Sequence, residues 1–195
     1  MSRVPAFTIA CALTAALVTG CSSPPAHFYT LSATAAPGSA QSKLSVAVGP
    51  VSVPATIDRP QIVVSTGANQ VSIDEFNRWA SPVQDNLVRV VAENLGAILG
   101  TPRVTLYPTL AADVDFRVQI EVRNFESAPG KQASLDAVWT VRRLKDGKTE
   151  TGRTSVRETI TESGYDALAA AHSRAVARMS QDIADAVRTL DRAAP

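Results

Sequence analysis

The stretch Val114-Asp115-Phe116-Arg117-Val118-Gln119-Ile120-Glu121-Val122-Arg123 puts an apolar side chain at every even position and a charged or polar one at every odd position. A period of two sends successive side chains to opposite faces, so this is a strand with one buried and one wet face. A helix, at 3.6 residues per turn, would scatter the same apolar groups around its axis. The pattern returns downstream with Leu135, Ala137, Trp139 and Val141. Asp146-Gly147 then supplies a turn into a third strand through Thr154, Val156, Glu158 and Ile160, which makes an antiparallel hairpin or meander.

Helices flank this set. Ser81-Pro82-Val83-Gln84 predicts a helix start with Ser81 as N-cap, Pro82 at the first helical position and Gln84 three residues after the cap. Val83, Leu87, Val90, Val91, Leu95, Ile98 and Leu99 continue the stripe until Gly100 and Pro102 stop it. A last helix of about 25 residues starts near Ser163-Gly164-Tyr165-Asp166, with Leu168, His172, Val176, Met179, Ile183, Val187 and Leu190 on one side.

Before the first helix, His27-Phe28-Tyr29-Thr30-Leu31 reads as a strand, and the Ala, Pro, Gly and Ser of 33–43 as a flexible connection. Leu44, Val46 and Val48 keep one phase, which slips by one residue across Gly49-Pro50 to Val51 and Val53, as in a bulged edge strand or a bend. Ile62-Val63-Val64 and Val71-Ser72-Ile73 form a hairpin around Gly67-Ala68-Asn69. With no internal repeat, the order strands, helix, strands, helix predicts a single α/β domain, a mixed sheet with two long helices packed on it.

The length of 195 residues suits one domain. With 19 Lys+Arg against 18 Asp+Glu, the chain lacks the cationic excess that phosphate binding requires, so nucleic acid is not an expected partner. Met1-Ser2-Arg3 precedes an uncharged apolar run from Val4 to Val18. As a helix that run is roughly 22 Å long, short of a ~30 Å hydrocarbon core, so it reads as a removable export signal over 1–20. Val18-Thr19-Gly20-Cys21 resembles the bacterial lipobox, which implies cleavage between Gly20 and Cys21, a diacylglyceryl group on the Cys21 sulfur and an acyl chain such as palmitate on its freed amine. Two or three chains hold a protein on a membrane where one would let it go. Residues 21–26 are then a lipidated tether, and 27–195 the periplasmic domain. Cys11 leaves with the signal, so the mature chain has no disulfide and relies on its core.

Sites of chemistry are few. Of the two histidines, His172 sits on an apolar stripe with no ligand or catalytic partner at a useful spacing, which suits a core or interface residue, and His27 adjoins the tether. There is no H-E-x-x-H, Gly-rich phosphate loop or G-x-S-x-G. Asp113 with Asp115, and Asp74 with Glu75, are the nearest paired carboxylates, and their positions read as solvated charge. No catalytic residue, metal site or cofactor is expected.

Several segments together resemble the ABC-type transport auxiliary lipoproteins, and within them the PqiC (YmbA) group. They are Phe28-Tyr29-Thr30-Leu31, Val48-Gly49-Pro50-Val51 with Val53-Pro54, Asp58-Arg59-Pro60-Gln61-Ile62-Val63, Phe76-Asn77-Arg78-Trp79-Ala80, the helix from Ser81 to Leu95, and Tyr165 to Val187 with Ala171-His172-Ser173 inside it. The resemblance implies a fold like the TolB N-terminal and anticodon-binding-like domains. It also implies a ring-like homo-oligomer and partnership with a PqiB-like MCE-domain protein, whose hydrophobic tunnel carries lipid between the two membranes. Ser22 after the lipidated Cys implies sorting to the outer membrane, facing the periplasm. Arg59, Pro60, Gln61 and Trp79 are the candidate partner contacts, with a purely structural role open for each. The other functions left open are a lipid carrier or chaperone with its own apolar pocket, and an auxiliary subunit of an inner-membrane ABC transporter.

Overall fold

The computed structural model describes residues 24–39, 41–108 and 114–193. The signal segment, Gly20, Cys21, Ser22 and Asp113 lie outside them. Eight strands and two helices follow in order: β1 (His27–Tyr29), β2 (Val46–Ser52), β3 (Gln61–Gly67), β4 (Gln70–Trp79), α1 (Val83–Leu99), β5 (Val104–Leu106), β6 (Phe116–Ala128), β7 (Gln132–Arg143), β8 (Thr149–Thr159) and α2 (Tyr165–Arg192).

The decisive stretch becomes β6, the trunk of one mixed sheet. Along one edge it pairs antiparallel with β7, which pairs with β8, completing the meander (Ile120 opposite Trp139, Trp139 opposite Gly152). The other edge forks. Its first half runs parallel to β2, with β5 outside, and its end meets β3 at the single pair Val64 and Ser127. Beyond β3 lie β4, antiparallel, and β1, parallel to the end of β4.

Alternation decides which face is covered. Phe116, Val118, Ile120, Val122, Leu135, Ala137, Trp139 and Val141 are buried; α2 lies over β6, β7 and β8, and α1 packs beside it over β2 and β5. All seven stripe residues of α2 are buried. Each aliphatic side chain removed from water this way contributes roughly 1.5 to 3 kcal/mol. Among the described residues nothing covers the other face, where Gln119, Glu121, Arg123, Arg142, Arg153 and Arg157 stand. At the meander's outer edge the Trp139 indole lies over Gly152, where an added Cβ would come within 2.2 Å of the ring.

Three expectations need correction. First, Ser81 does not cap α1: Pro82 is the N-cap, with φ −47° and ψ 139° and no side-chain cap bond. The side chain of Asn86 donates to the Ser81 carbonyl instead, so an internal amide ties down the chain ahead of the helix. The helix stops as expected at Gly100, left-handed at φ 63°. Second, the phase slip at Gly49-Pro50 is a bulge between Val48 and Val51, but β2 is not an edge strand. It has β6 on one side and β5 on the other through Val48, and Pro50, with no partner in either ladder, breaks no rung.

Third, the described residues of the irregular segment 33–43 run as a strap along α1. Asn94 Oδ1 accepts from the Thr34 and Ala35 amides at 3.1 and 3.0 Å, Gly38 N donates to Ala97 O at 2.9 Å, and Ser42 N to Gly100 O at 3.0 Å. Non-repeating backbone on a protein surface must find partners for its N–H groups, and here helix carbonyls and one buried amide supply them.

Candidate interaction site

β4 and β3 bring the singled-out residues together. Trp79 ends β4, its N–H donates to the Pro60 carbonyl at 2.7 Å, and that bond joins the Arg59-Pro60-Gln61 turn to the strand. Their exposures differ. Trp79 is only 5% exposed, edge-on to Phe125 and to His172 at 6.2 Å each. After the β4 bulge its side chain falls on the helix side of the sheet, among the buried core. Pro60 is exposed, while Arg59 and Gln61 are half-buried. Gln61 donates to Glu75 Oε2 at 3.2 Å, whereas the buried Nε of Arg59 has no hydrogen-bond partner among the described residues.

Arg59 lines an open groove of about 440 Å³ on the uncovered side of the fork, with Ile57, Val63, Val71, Ile73 and Phe125. Val63 faces Ile73 across the hairpin. Their neighbours Ile62 and Val64 point into the core, so strand parity forces Val63, Val71 and Ile73 outward. Val71 is 64% exposed and Ile73 42%.

The bulge in β4 is held by a polar knot that the sequence did not reveal. Asp74 Oδ1 accepts from the amides of Phe76 and Asn77, each at 2.9 Å, and Oδ2 accepts from Asn77 Nδ2 at 3.0 Å and the Tyr165 hydroxyl at 2.6 Å. Tyr29 donates to Asn77 Oδ1 at 2.8 Å and its ring lies 5.7 Å from that of Tyr165. Burial pushes the Asp74 carboxyl up, but the hydrogen bonds from Tyr165 and Asn77 outweigh it and hold the group down at about 2. Burial and the facing carboxylate together push the Tyr165 phenol up. Asp74 is therefore a clamp between β4, β1 and α2. Asp115 has a similar task, accepting from the amide and hydroxyl of Ser45 at 2.7 Å each where β2 begins.

His172 is fully buried, stacked on Phe125 at 3.9 Å with Nε2 at 2.9 Å from Ser127 Oγ. Its Nδ1 has no partner among the described residues, so no carboxylate orients it as a base. Burial lowers its pKa to about 3 and keeps the ring neutral. His27 is exposed. Among the described residues no three His, Cys, Asp or Glu side chains converge on a metal position, and no helix is long and apolar enough to cross a membrane.

Two solved structures share the fold. A crystal structure of an uncharacterized protein is 20% identical, covers 84% of this chain and 99% of its own, and superposes with a TM-score of 0.69. The crystal structure of a Xanthomonas campestris protein of the DUF330 family is 19% identical, covers 85% and 99%, and gives 0.70. No curated protein matches the chain. The model of one family matches residues 29–184, from the end of β1 to the last turns of α2, and the chain belongs to that family, the ABC-type transport auxiliary lipoprotein components.

Proposed function

We propose that the protein is a lipid-anchored accessory subunit of an MCE-type intermembrane lipid transport system, held at the outer membrane by Cys21 and facing the periplasm. There it docks the far end of a PqiB-like tunnel, as a homo-oligomeric ring, and so supports membrane integrity. The observation that carries this reading is how the ionisable groups are used in a family of transport auxiliary lipoproteins. Asp74, Asp115 and His172, the groups that offered chemistry, are each committed to holding the fold. The space between helices and sheet is filled by Leu87, Leu95, Phe116, Leu168, Met179 and Ile183, all within 1% of complete burial, which favours docking over a carrier with an acyl chain inside. A tether makes docking effectively intramolecular once the tunnel end arrives.

Photo-crosslinkers at Thr56 to Pro60 and at the exposed α1 positions Gln84, Asp85 and Glu93 test this in intact cells. Adducts with an MCE-domain protein in outer-membrane fractions are expected. Fractionation with the inner membrane and no such adduct from any of these positions would overturn the reading.

A further inference from the structure

Among the described residues, four of the six large apolar side chains that stand exposed belong to one corner of the sheet: Phe28 on β1, and Val71, Ile73 and Phe76 on β4. Phe28 is 63% exposed and pairs with Arg78, on the uncovered face that Val71 and Ile73 share. Exposed apolar side chains gathered in one patch mark an interaction surface, whereas scattered ones do not.

The direction of β1 says what the patch meets. β1 is parallel to β4, with His27 opposite Asn77 and Tyr29 opposite Trp79. The chain ahead of His27 therefore departs toward the start of β4, the hairpin tip at Ala68-Asn69. Five tether residues at no more than ~3.5 Å each separate His27 from the lipidated Cys21, so the root of β1 stays within roughly 18 Å of the bilayer surface. Ile73 is four strand positions from Asn77, at most ~14 Å along β4. The anchor thus draws toward the lipid the end of the domain where the apolar corner stands. Two cations flank it. Arg59 lines the groove, its buried Nε without a partner among the described residues, and Arg78 is half-buried beside Phe28, its Nε donating to the Glu75 carbonyl at 2.8 Å and one terminal nitrogen 3.6 Å from Glu75 Oε2, which sets the guanidinium at the corner where a lipid phosphate would meet it. Glu75 is the facing acid on β4 and Glu126 lines the groove from β6.

We propose that the β3–β4 hairpin, with Phe28 beside it, is the membrane-contacting element of the anchored domain: Val71, Ile73 and Phe28 rest among the outermost acyl segments and Arg78 at the phosphates. The inference rests on the lipid anchor of the proposed function and assigns the orientation that anchor imposes. It leaves the helix side, with Gln84, Asp85 and Glu93, turned to the periplasm.

The test uses the full lipidated protein in vesicles of phosphatidylethanolamine and phosphatidylglycerol. With Cys11 removed and the Cys21 thiol blocked by lipid, a cysteine introduced by Val71→Cys, by Ile73→Cys or, as a control on the exposed side of α2, by Gln181→Cys is the only free thiol. An environment-sensitive fluorophore on it is read with lipids brominated on the acyl chains. Labels at 71 and 73 are expected to shift to the blue and to be quenched several-fold more than the label at 181. Val71→Asp combined with Phe28→Ser should abolish the quenching at 73 while the protein still floats with the vesicles. Equal quenching at all three positions, or none, overturns the proposal while flotation shows the anchor intact. Labels at 71 and 73 shielded from water but untouched by brominated lipid mean that another protein chain covers the corner, which also overturns it. Protein that does not float removes the anchor and this inference together.

Discussion

His172 shows how one buried side chain sets a pH limit. Its unfolded pKa is near 6.5 and its folded value about 3, because burial disfavours the charged ring. Between these values the unfolded chain binds a proton that the folded chain does not, so stability falls as pH drops. The contribution is complete above about pH 6.5, is lost at roughly 1.4 kcal/mol per pH unit below it, and levels off below the folded pKa. His172→Gln, able to keep a hydrogen bond to Ser127, should cost about 1 to 3 kcal/mol at neutral pH and flatten that acid slope. Urea unfolding of both proteins from pH 7 to pH 4 measures it, and parallel slopes would show that the acid loss comes from other groups. The apolar stripe alone revealed that position 172 is buried. Ser127, 45 residues away, was not legible as its partner, because which residue of a long strand faces which helix turn depends on register.

At the scale of elements, period-two and helical patterns marked β6, β7, β8 and both helices nearly to their ends. What escaped was structure held by single side chains. Asn86 and Asn94 sit two turns apart within the apolar stripe of α1, and a buried amide in such a stripe implies a local backbone partner. That was the available signal for the strap, which composition alone assigned to flexible chain. Asn94→Leu keeps the shape but removes the acceptor for Thr34 and Ala35 and the donor to Ser180. It should cost about 2 kcal/mol and speed amide exchange at Thr34 and Ala35 selectively, while exchange in the β6–β7 core keeps its rank. Uniform acceleration across the molecule would mean that the strap folds with the core and not as a separately tied segment. The Asp74 clamp was hidden for a related reason: Tyr165 lies 91 residues further on, at the start of α2, and only the assembled sheet brings it to β4.

At the scale of the whole molecule, alternation in one strand gave a one-sided sheet, and the lipobox implied a membrane anchor ahead of it. The fork of β6 between β2 and β3 was not legible, since both branches pair with one strand over different residues. It is the fork that leaves Arg59 and the hairpin on an open corner while Trp79, four residues from the helix, goes inside. Anchor and fold are separable by this architecture, because among the described residues the buried cluster begins at Leu31, beyond the tether. A form exported by an ordinary cleavable signal and starting at Ser22 should therefore fold with an unchanged Tm. Three exposed apolar side chains give only a weak, reversible hold on lipid compared with two or three acyl chains, so this form should appear in the soluble periplasmic fraction. Without the tether the local concentration that favours docking is gone, and the form should fail to restore detergent resistance to cells lacking the gene unless it is strongly overproduced. Fractionation, thermal unfolding and a detergent challenge read the three parts separately. Full complementation by the soluble form at native levels would show that docking needs no membrane anchor, and a lowered Tm would place the lipidated end within the folding unit.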